Sequence, residues 1–177
     1  MIESRYWKED LLAHSKRLKP TKKPKRWSEK AVVNFEKEIL ISFFMIRILL
    51  ENKKTSVKSV NYRVPVRRAP WSGKKITQLN LWHIEGHYDF ANEVEARVSL
   101  QFLVNQFIHC KLIHATRDRD RNWSEIFVCS DFEIRKALYR ISMDEIRKIF
   151  SFVGADYSDQ VHYKWDAKID DYQVTLE

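Results

Sequence analysis

The stretch SEKAVVNFEKEILISFFMIRILLE, residues 28–51, is the part of the sequence that decides the fold. Its apolar residues recur at steps of three and four, which is the period of a helix. Ser28 followed by Glu29 is typical of a helix N-terminus, because the hydroxyl caps a free amide and the carboxylate favours the positive helix end. The second half is apolar almost all round, so we expect this helix at the centre of the fold.

The same stretch is the only candidate for a membrane segment, and it is too short. Residues 39–50 form an apolar run that contains Arg47 and ends at the charged sequence ENKK. A membrane-spanning helix needs about 18 or more apolar residues. We therefore expect a buried helix and no membrane contact.

Three further helices are predicted around it. Apolar residues in 5–18 follow a helical period, and residues 93–110 place an apolar stripe beside a polar one at steps of four. Residues 142–154 carry the clearest local signal, since Ser142 with Glu145 forms a capping box and Gly154 ends the apolar stripe.

The remaining segments alternate between apolar and polar residues, as strands do. Residues 60–66 read as an edge strand because Pro65 lacks a ladder donor, and a second strand around 75–84 would close a hairpin. Strands are also predicted at 111–116, 125–130 and 136–141, and residues 161–176 read as a C-terminal hairpin.

This order of elements predicts a single-domain α+β protein. It has two N-terminal helices, the second long and central, then antiparallel sheet elements with two further helices and the C-terminal hairpin. We assign residues 1–27 to an N-terminal helix and basic linker and residues 28–177 to the α+β domain. Three glycines in the chain leave no phosphate-binding loop.

Two cysteines, Cys110 and Cys129, lie in apolar segments and are too few for a disulfide framework. The first twenty residues are charged throughout and contain no signal peptide. Both observations predict a cytoplasmic location.

Charge is distributed very unevenly along the chain. The formal net charge is +8, yet residues 16–75 contain 18 Lys or Arg and only 4 Glu. The rest of the chain contains 14 basic and 20 acidic residues and is net negative. The basic half could attract a polyanion, and the acidic half could pair with it between chains.

The most basic stretch is HSKRLKPTKKPKRW, residues 14–27. Lysine and arginine would contact phosphates, and neighbouring aromatic rings could stack on unpaired bases. Three interpretations stay open, namely a nucleic-acid contact, a solvated linker in which Trp27 packs on Val32, and a surface for a protein partner. The candidate nucleic-acid-binding residues are Lys16, Arg17, Lys19, Lys22, Lys23, Lys25, Arg26, Trp27, Arg63, Arg67, Arg68 and Trp71.

A second candidate site is the sequence WHIEGHYD, residues 82–89. If it were extended, alternation would bring four possible metal ligands to one side of a strand. These are His83, Glu85, His87 and Asp89. The spacing matches no closed metal signature, and solvent-facing polar residues explain the same pattern.

The sequence therefore favours a non-catalytic binding or accessory protein that contacts nucleic acid through its basic half and needs no cofactor. A metal-dependent hydrolase or nuclease, with a divalent metal at the histidine cluster, is the alternative of a different class. A protein-binding subunit or homo-oligomer is the third. Arg97, Asn105 and His109, on the polar stripe of 93–110, are secondary candidates for a binding cleft.

Overall fold

The structure, a computed structural model, describes residues 3–21, 28–157 and 161–176 and confirms the α+β class. The helices are α1 (Ser4–Arg17), α2 (Glu29–Glu51), α3 (Val57–Val60), α4 (Ile84–His87), α5 (Leu100–Ile108) and α6 (Met143–Gly154), with one 3-10 turn at Phe90–Asn92. The strands are β1 (Arg63–Pro70), β2 (Val94–Ser99), β3 (Cys110–Arg117), β4 (Trp123–Ser130), β5 (Ala137–Ser142), β6 (Val161–Asp166) and β7 (Asp171–Leu176).

Five strands form one antiparallel sheet in the order β2-β1-β5-β4-β3, and β6 pairs with β7 in a separate hairpin. Helices α5 and α6 pack on one face of the sheet, and α1 and α2 pack on those helices. We call this the helix face. The main core lies there, and residues such as Val66, Ile126 and Ile141 point into it.

The opposite face of the sheet is only partly covered. The segment between β1 and β2 lies over one half, where Leu81 and Tyr88 pack on Ala69, Phe127 and other residues of the smaller core cluster. The two clusters alternate along β4, as side chains on opposite faces must. The uncovered half of this face, which we call the open face, carries charged side chains.

The long helix predicted from the opening stretch is confirmed as α2. Ser28 caps it by accepting a hydrogen bond from the amide of Ala31 at 3.2 Å. Ile39 and Phe43 are fully buried, and the Phe43 ring stacks on Phe107 at 3.8 Å. Phe44 on the other side is 48% exposed, so a helix that is apolar all round is not buried all round here.

One predicted helix proves to be two elements. Residues 94–99 form strand β2, and the helix begins only at Leu100, where the Ser99 side chain caps the amide of Phe102. The sequence EVEARVS fits alternation as well as a helical period. The predicted polar stripe over 93–109 is therefore wrong, because its first part lies on a strand.

The predicted hairpin partner of β1 is also wrong. Residues 75–77 form no regular element and residues 78–82 form turns. Strand β1 instead pairs with β2 and β5, so it is an internal strand. Pro65 is tolerated because the pairing with β5 begins only at Arg67. The proline therefore lies where one side of β1 has no neighbouring strand that needs its amide.

The remaining strand predictions and the last helix are confirmed. The capping box of α6 forms only in one direction, since Ser142 accepts from the amide of Glu145 at 3.2 Å. The Glu145 carboxylate instead accepts from the Tyr62 hydroxyl at 3.1 Å and from Lys148 at 3.2 Å. The predicted packing of Trp27 on Val32 lies outside the described residues.

A polar contact joins α1 to α2. His14 Nδ1 lies 2.5 Å from Ser42 Oγ, and Ser42 donates its proton to the Glu38 carbonyl at 2.6 Å. Nδ1 is therefore the donor to Ser42. Burial lowers the pKa of His14, since it disfavours the imidazolium, while Glu38 and Asp10 act in the opposite direction and Arg17 adds to the lowering.

We expect His14 to make the protein less stable in mild acid. The folded state binds its proton less readily than the unfolded state, whose histidine pKa is about 6.5. The stability it contributes is present above that pH and is lost as the pH falls towards the lowered folded-state pKa. Urea unfolding at neutral and acidic pH measures the drop in unfolding free energy on acidification. This drop should be smaller for His14→Asn than for the wild type, because asparagine retains a donor but does not titrate. An equal loss in both proteins would contradict the assignment.

Candidate functional site

The open face of the sheet contains a charged cleft of about 460 Å³. We call it the sheet-face cleft. It is formed because β5 ends at Ser142 and the chain turns into α6, which leaves a gap beside the first half of β1. Its lining residues are Pro65, Val66, Arg67, Glu95, Ala96, Arg97, Glu125, Arg140, Ser142 and Glu145.

Strand register brings the charged residues of the cleft together. Arg67 lies directly opposite Arg140 on β5 and opposite Glu95 on β2. Two arginines facing each other across a strand pair repel. A carboxylate that lies outside strands β1, β2 and β5 contacts both arginines and offsets this repulsion.

That carboxylate is Glu93, which immediately precedes β2 and whose side chain is only 3% exposed. It forms an ion pair with Arg67, whose Nε lies 2.8 Å away, and accepts from Arg140 Nε at 2.9 Å, and Arg140 Nη2 donates to it as well. Arg140 also contacts Glu125 at 3.2 Å. Burial works against the charge on Arg140, but hydrogen bonds and attraction from Glu93 and Glu125 outweigh it and raise its pKa.

Two further arginines, one lining the cleft and one beyond its edge on the same strand pair, are exposed and have no carboxylate partner in the described part of the chain. They are Arg63 and Arg97. Pro65 lies opposite Arg97, and Arg63 lies two pairs further along, opposite Ser99. Alternation along β1 and β2 places both arginines on the open face with Arg67. Their guanidinium groups are available to an external anion.

Helix ends add to the positive potential at this end of the sheet. Helix α5 begins after Ser99 and α6 after Ser142, so both N-termini lie at the end where Arg63 and Arg97 are found. A helix N-terminus has a partial positive charge.

The basic stretch is anchored at the same end. The amide of Thr21 donates to the Asn122 side chain at 3.0 Å, and Asn122 Nδ2 donates back to the Thr21 carbonyl at 3.2 Å. Asn122 immediately precedes β4, and Glu125 nearby on β4 pairs with Ser142. The residues that follow Thr21, including Lys22, Lys23, Lys25, Arg26 and Trp27, lie outside the described residues.

The other basic residues predicted from sequence do not gather on one face. Lys16, Arg17 and Lys19 lie at the C-terminal end of α1, where Arg17 forms an ion pair with Glu38 at 3.0 Å. Arg68 points to the helix face, opposite to Arg67, and contacts Tyr139. Of the nucleic-acid-binding candidates that the structure describes, only Arg63 and Arg67 therefore share a face.

Trp71 is placed differently from a base-stacking residue. It is half-buried against the smaller core cluster, and its Nε1 donates to the Lys74 carbonyl at 2.9 Å. Both the ring and the nitrogen are therefore engaged within the chain.

The predicted metal-binding segment is not extended, so its four side chains do not share one strand face. Residues 84–87 form α4, His87 is buried with Nε2 2.8 Å from the Asn80 carbonyl, and Asp89 caps the 3-10 turn. His83 and Glu85 line a separate open cavity with His114. Nowhere in the described residues do three or more His, Cys, Asp or Glu side chains form a group that could hold a metal ion.

The secondary candidates are also separated by the break between β2 and α5. Arg97 lies at the cleft, whereas Asn105 accepts from Gln101 within α5 and His109 lies 3.3 Å from Arg47 at the other end of that helix. Sequence reasoning counted Glu93 in the polar stripe without making it a candidate, and it missed Glu125 and Arg140. The alternation in residues 93–99 was the available signal for placing Arg97 and Glu95 on a strand.

The fold and the site alone define the class of this protein, which is an α+β domain with an arginine-lined cleft on an open sheet face. No protein-family model, no curated protein and no solved structure matches the chain. None of the helices in the described ranges is long and apolar enough to cross a membrane.

Proposed function

We propose that this is a non-catalytic binding protein that contacts nucleic acid, with the sheet-face cleft and the adjacent basic stretch as its contact surface. One observation carries the proposal. Arg63 and Arg97 are exposed, with no carboxylate partner among the described residues, at the end of the sheet where Thr21, within the basic stretch, is held by Asn122. Phosphates along one strand would meet the two regions in succession.

Arginine suits this role because its planar guanidinium binds a phosphate through two hydrogen bonds. The number of phosphate contacts in the cleft is limited, because Glu95 and Glu125 line it and repel additional phosphates. The cleft contribution is therefore one or two phosphates, and most of the affinity comes from the basic stretch. Such binding reads the backbone and not the base sequence.

We also propose a reducing, cytoplasmic setting for this activity. Cys110 and Cys129 are both free thiols, and burial raises the pKa of each, to about 11 for Cys129. A raised pKa lowers the fraction of reactive thiolate, and free thiols that form no disulfide are typical of a reducing compartment.

Fluorescence polarisation with a single-stranded and a duplex oligonucleotide tests the proposal. We expect affinity to fall steeply between about 50 and 200 mM salt. The double variant Arg63→Ala/Arg97→Ala should lower affinity about tenfold at the lower salt and reduce the salt dependence by one to two phosphate contacts. A variant with alanine in place of Lys22, Lys23, Lys25 and Arg26 should reduce both the affinity and its salt dependence further.

The matched control is Arg135→Ala. Arg135 is exposed and borders a different cavity, near the turn between β4 and β5 at the opposite end of the sheet. Its loss should leave binding unchanged. Undiminished affinity after the Arg63 and Arg97 changes, or a loss confined to Arg135→Ala, would contradict the assignment to the sheet-face cleft.

A further inference from the structure

The C-terminal hairpin of β6 and β7 has one apolar face. Tyr163 pairs with Val174 and Trp165 with Tyr172, so alternation puts these four side chains on the same side, with Val161 beyond them. His162, Lys164, Asp166, Asp171 and Gln173 occupy the other side. The pattern is that of a strand pair built to cover a core.

Within the described residues, no core of this chain is covered by that face. The strands pack mainly on each other, and Tyr163, Trp165 and Tyr172 are 67%, 51% and 53% exposed. Trp165 contacts Tyr172 edge to face at 5.2 Å, so the rings order one another without being buried. A two-stranded hairpin is marginal in water unless its apolar face is covered.

The charges of the hairpin argue against a nucleic acid as the covering partner. Residues 161–176 carry Asp166, Asp170 and Asp171 against Lys164 and Lys168, so the hairpin is slightly acidic. A phosphate backbone is repelled by that balance. An uncharged, mainly aromatic face favours another apolar protein surface.

A second copy of the same hairpin supplies such a surface with matching width and no charge. Given the exposed fractions, the aromatic rings and the valines offer roughly 400–500 Å² per copy, or about 1,000 Å² for two copies. That total is at the lower limit for a specific interface, about 1,000–1,200 Å². It supports a dimer that dissociates in the micromolar range.

We propose that the C-terminal hairpin is a homodimerisation element that packs face to face on the same hairpin of a second copy. The contact is isologous, because the same residues come from both chains, and it buries both apolar faces in a two-layer β core. The inference does not depend on nucleic-acid binding. If both hold, two sheet-face clefts on one dimer would increase avidity for a long polyanion.

Sedimentation velocity of the full chain between about 1 and 100 μM tests this directly. We expect a reversible shift from monomer to dimer. Val174→Thr, an isosteric change that keeps a strand-forming residue but adds a hydroxyl to the face, should raise the dissociation constant about tenfold. Trp165→Ser should abolish the dimer, and Lys164→Ser on the opposite face is the matched control that should retain it.

Each other outcome overturns the proposal. A wild-type chain that stays monomeric at the highest concentration rules out the dimer. A dimer that survives Trp165→Ser places the interface elsewhere, and equal losses for Lys164→Ser and Trp165→Ser refute the assignment to one face. A monomer whose oligonucleotide binding is lost with Trp165→Ser would make the hairpin a stacking surface for bases instead.

Discussion

Replacing Glu93 with alanine is expected to lower the free energy of unfolding by about 2 kcal/mol, through the loss of a buried carboxylate between two arginines. Glu93 is 3% exposed and joins Arg67 to Arg140, which lie directly opposite each other on β1 and β5. Without it, the two guanidinium groups face each other across the strand pair, and among the described residues Glu125 is the one carboxylate that Arg140 still contacts.

The size of the expected loss in unfolding free energy depends on how exposed the two arginines are to water. A fully buried pair that loses one member costs about 3–5 kcal/mol. Arg67 is 51% exposed and Arg140 22%, so water recovers part of the loss and we expect the smaller value. Added salt should narrow the difference between the variant and the wild type, because it screens the repulsion between the arginines.

Glu95→Ala is the matched control, since Glu95 lies two residues away, is exposed and forms no ion pair within the described ranges. Its replacement should change stability by less than about 0.5 kcal/mol. Urea unfolding of the two variants measures both values. Equal effects would mean that Glu93 does not hold the strands together.

The local parts of the fold follow from the sequence because short-range physics determines them. Ser28 and Ser142 cap their helices through amides three residues away, and the apolar stripes of α2 and α6 are read from neighbouring residues. The C-terminal hairpin is likewise encoded by alternation on both sides of a short turn. No knowledge of distant contacts is required for any of them.

The cleft could not be predicted in the same way, because its residues meet through strand order. Glu93 and Arg140 are 47 residues apart, and their contact exists only because β1 lies between β2 and β5. No periodicity in the sequence states that order. The residues 93–99 were ambiguous between helix and strand, so even the face on which Arg97 lies depended on long-range pairing.

The prediction of an extended metal-binding segment at residues 82–89 was wrong for a different reason. Gly86 disfavours a helix by local propensity, yet α4 is only one turn long and tolerates it. Burial of Tyr88 and His87 against the sheet and the Asn80 carbonyl determines the path of this segment. Tertiary packing therefore overrides the local preference on which the prediction was based.

The second large effect is expected at Gly154, the last residue of α6, where α1 approaches closely. A Cβ at this position would lie 2.9 Å from the Lys8 carbonyl oxygen and 2.9 Å from Leu12 Cγ. The carbonyl belongs to the backbone of α1 and cannot move alone. Gly154→Ala must therefore push the two helices apart.

We expect Gly154→Ala to lower the free energy of unfolding by about 2 kcal/mol, within the range for overpacked cores. The displacement also disturbs the bond from Lys8 Nζ to the Asp156 carbonyl and the bond from Ser15 to the Arg147 carbonyl at 3.0 Å. A helix gains stability when alanine replaces glycine, so the expected net loss is smaller than the steric cost itself.

Gly86→Ala provides a control with the opposite sign. A Cβ at Gly86 meets no atom within 4 Å, and its φ is not positive. Alanine there should be neutral or should stabilise the protein by up to about 1 kcal/mol, since it restricts the unfolded chain. Chemical denaturation of both variants checks the pair. If Gly154→Ala proved as stable as Gly86→Ala, the close packing of α1 on α6 would be refuted, and with it the role of α1 as part of the core.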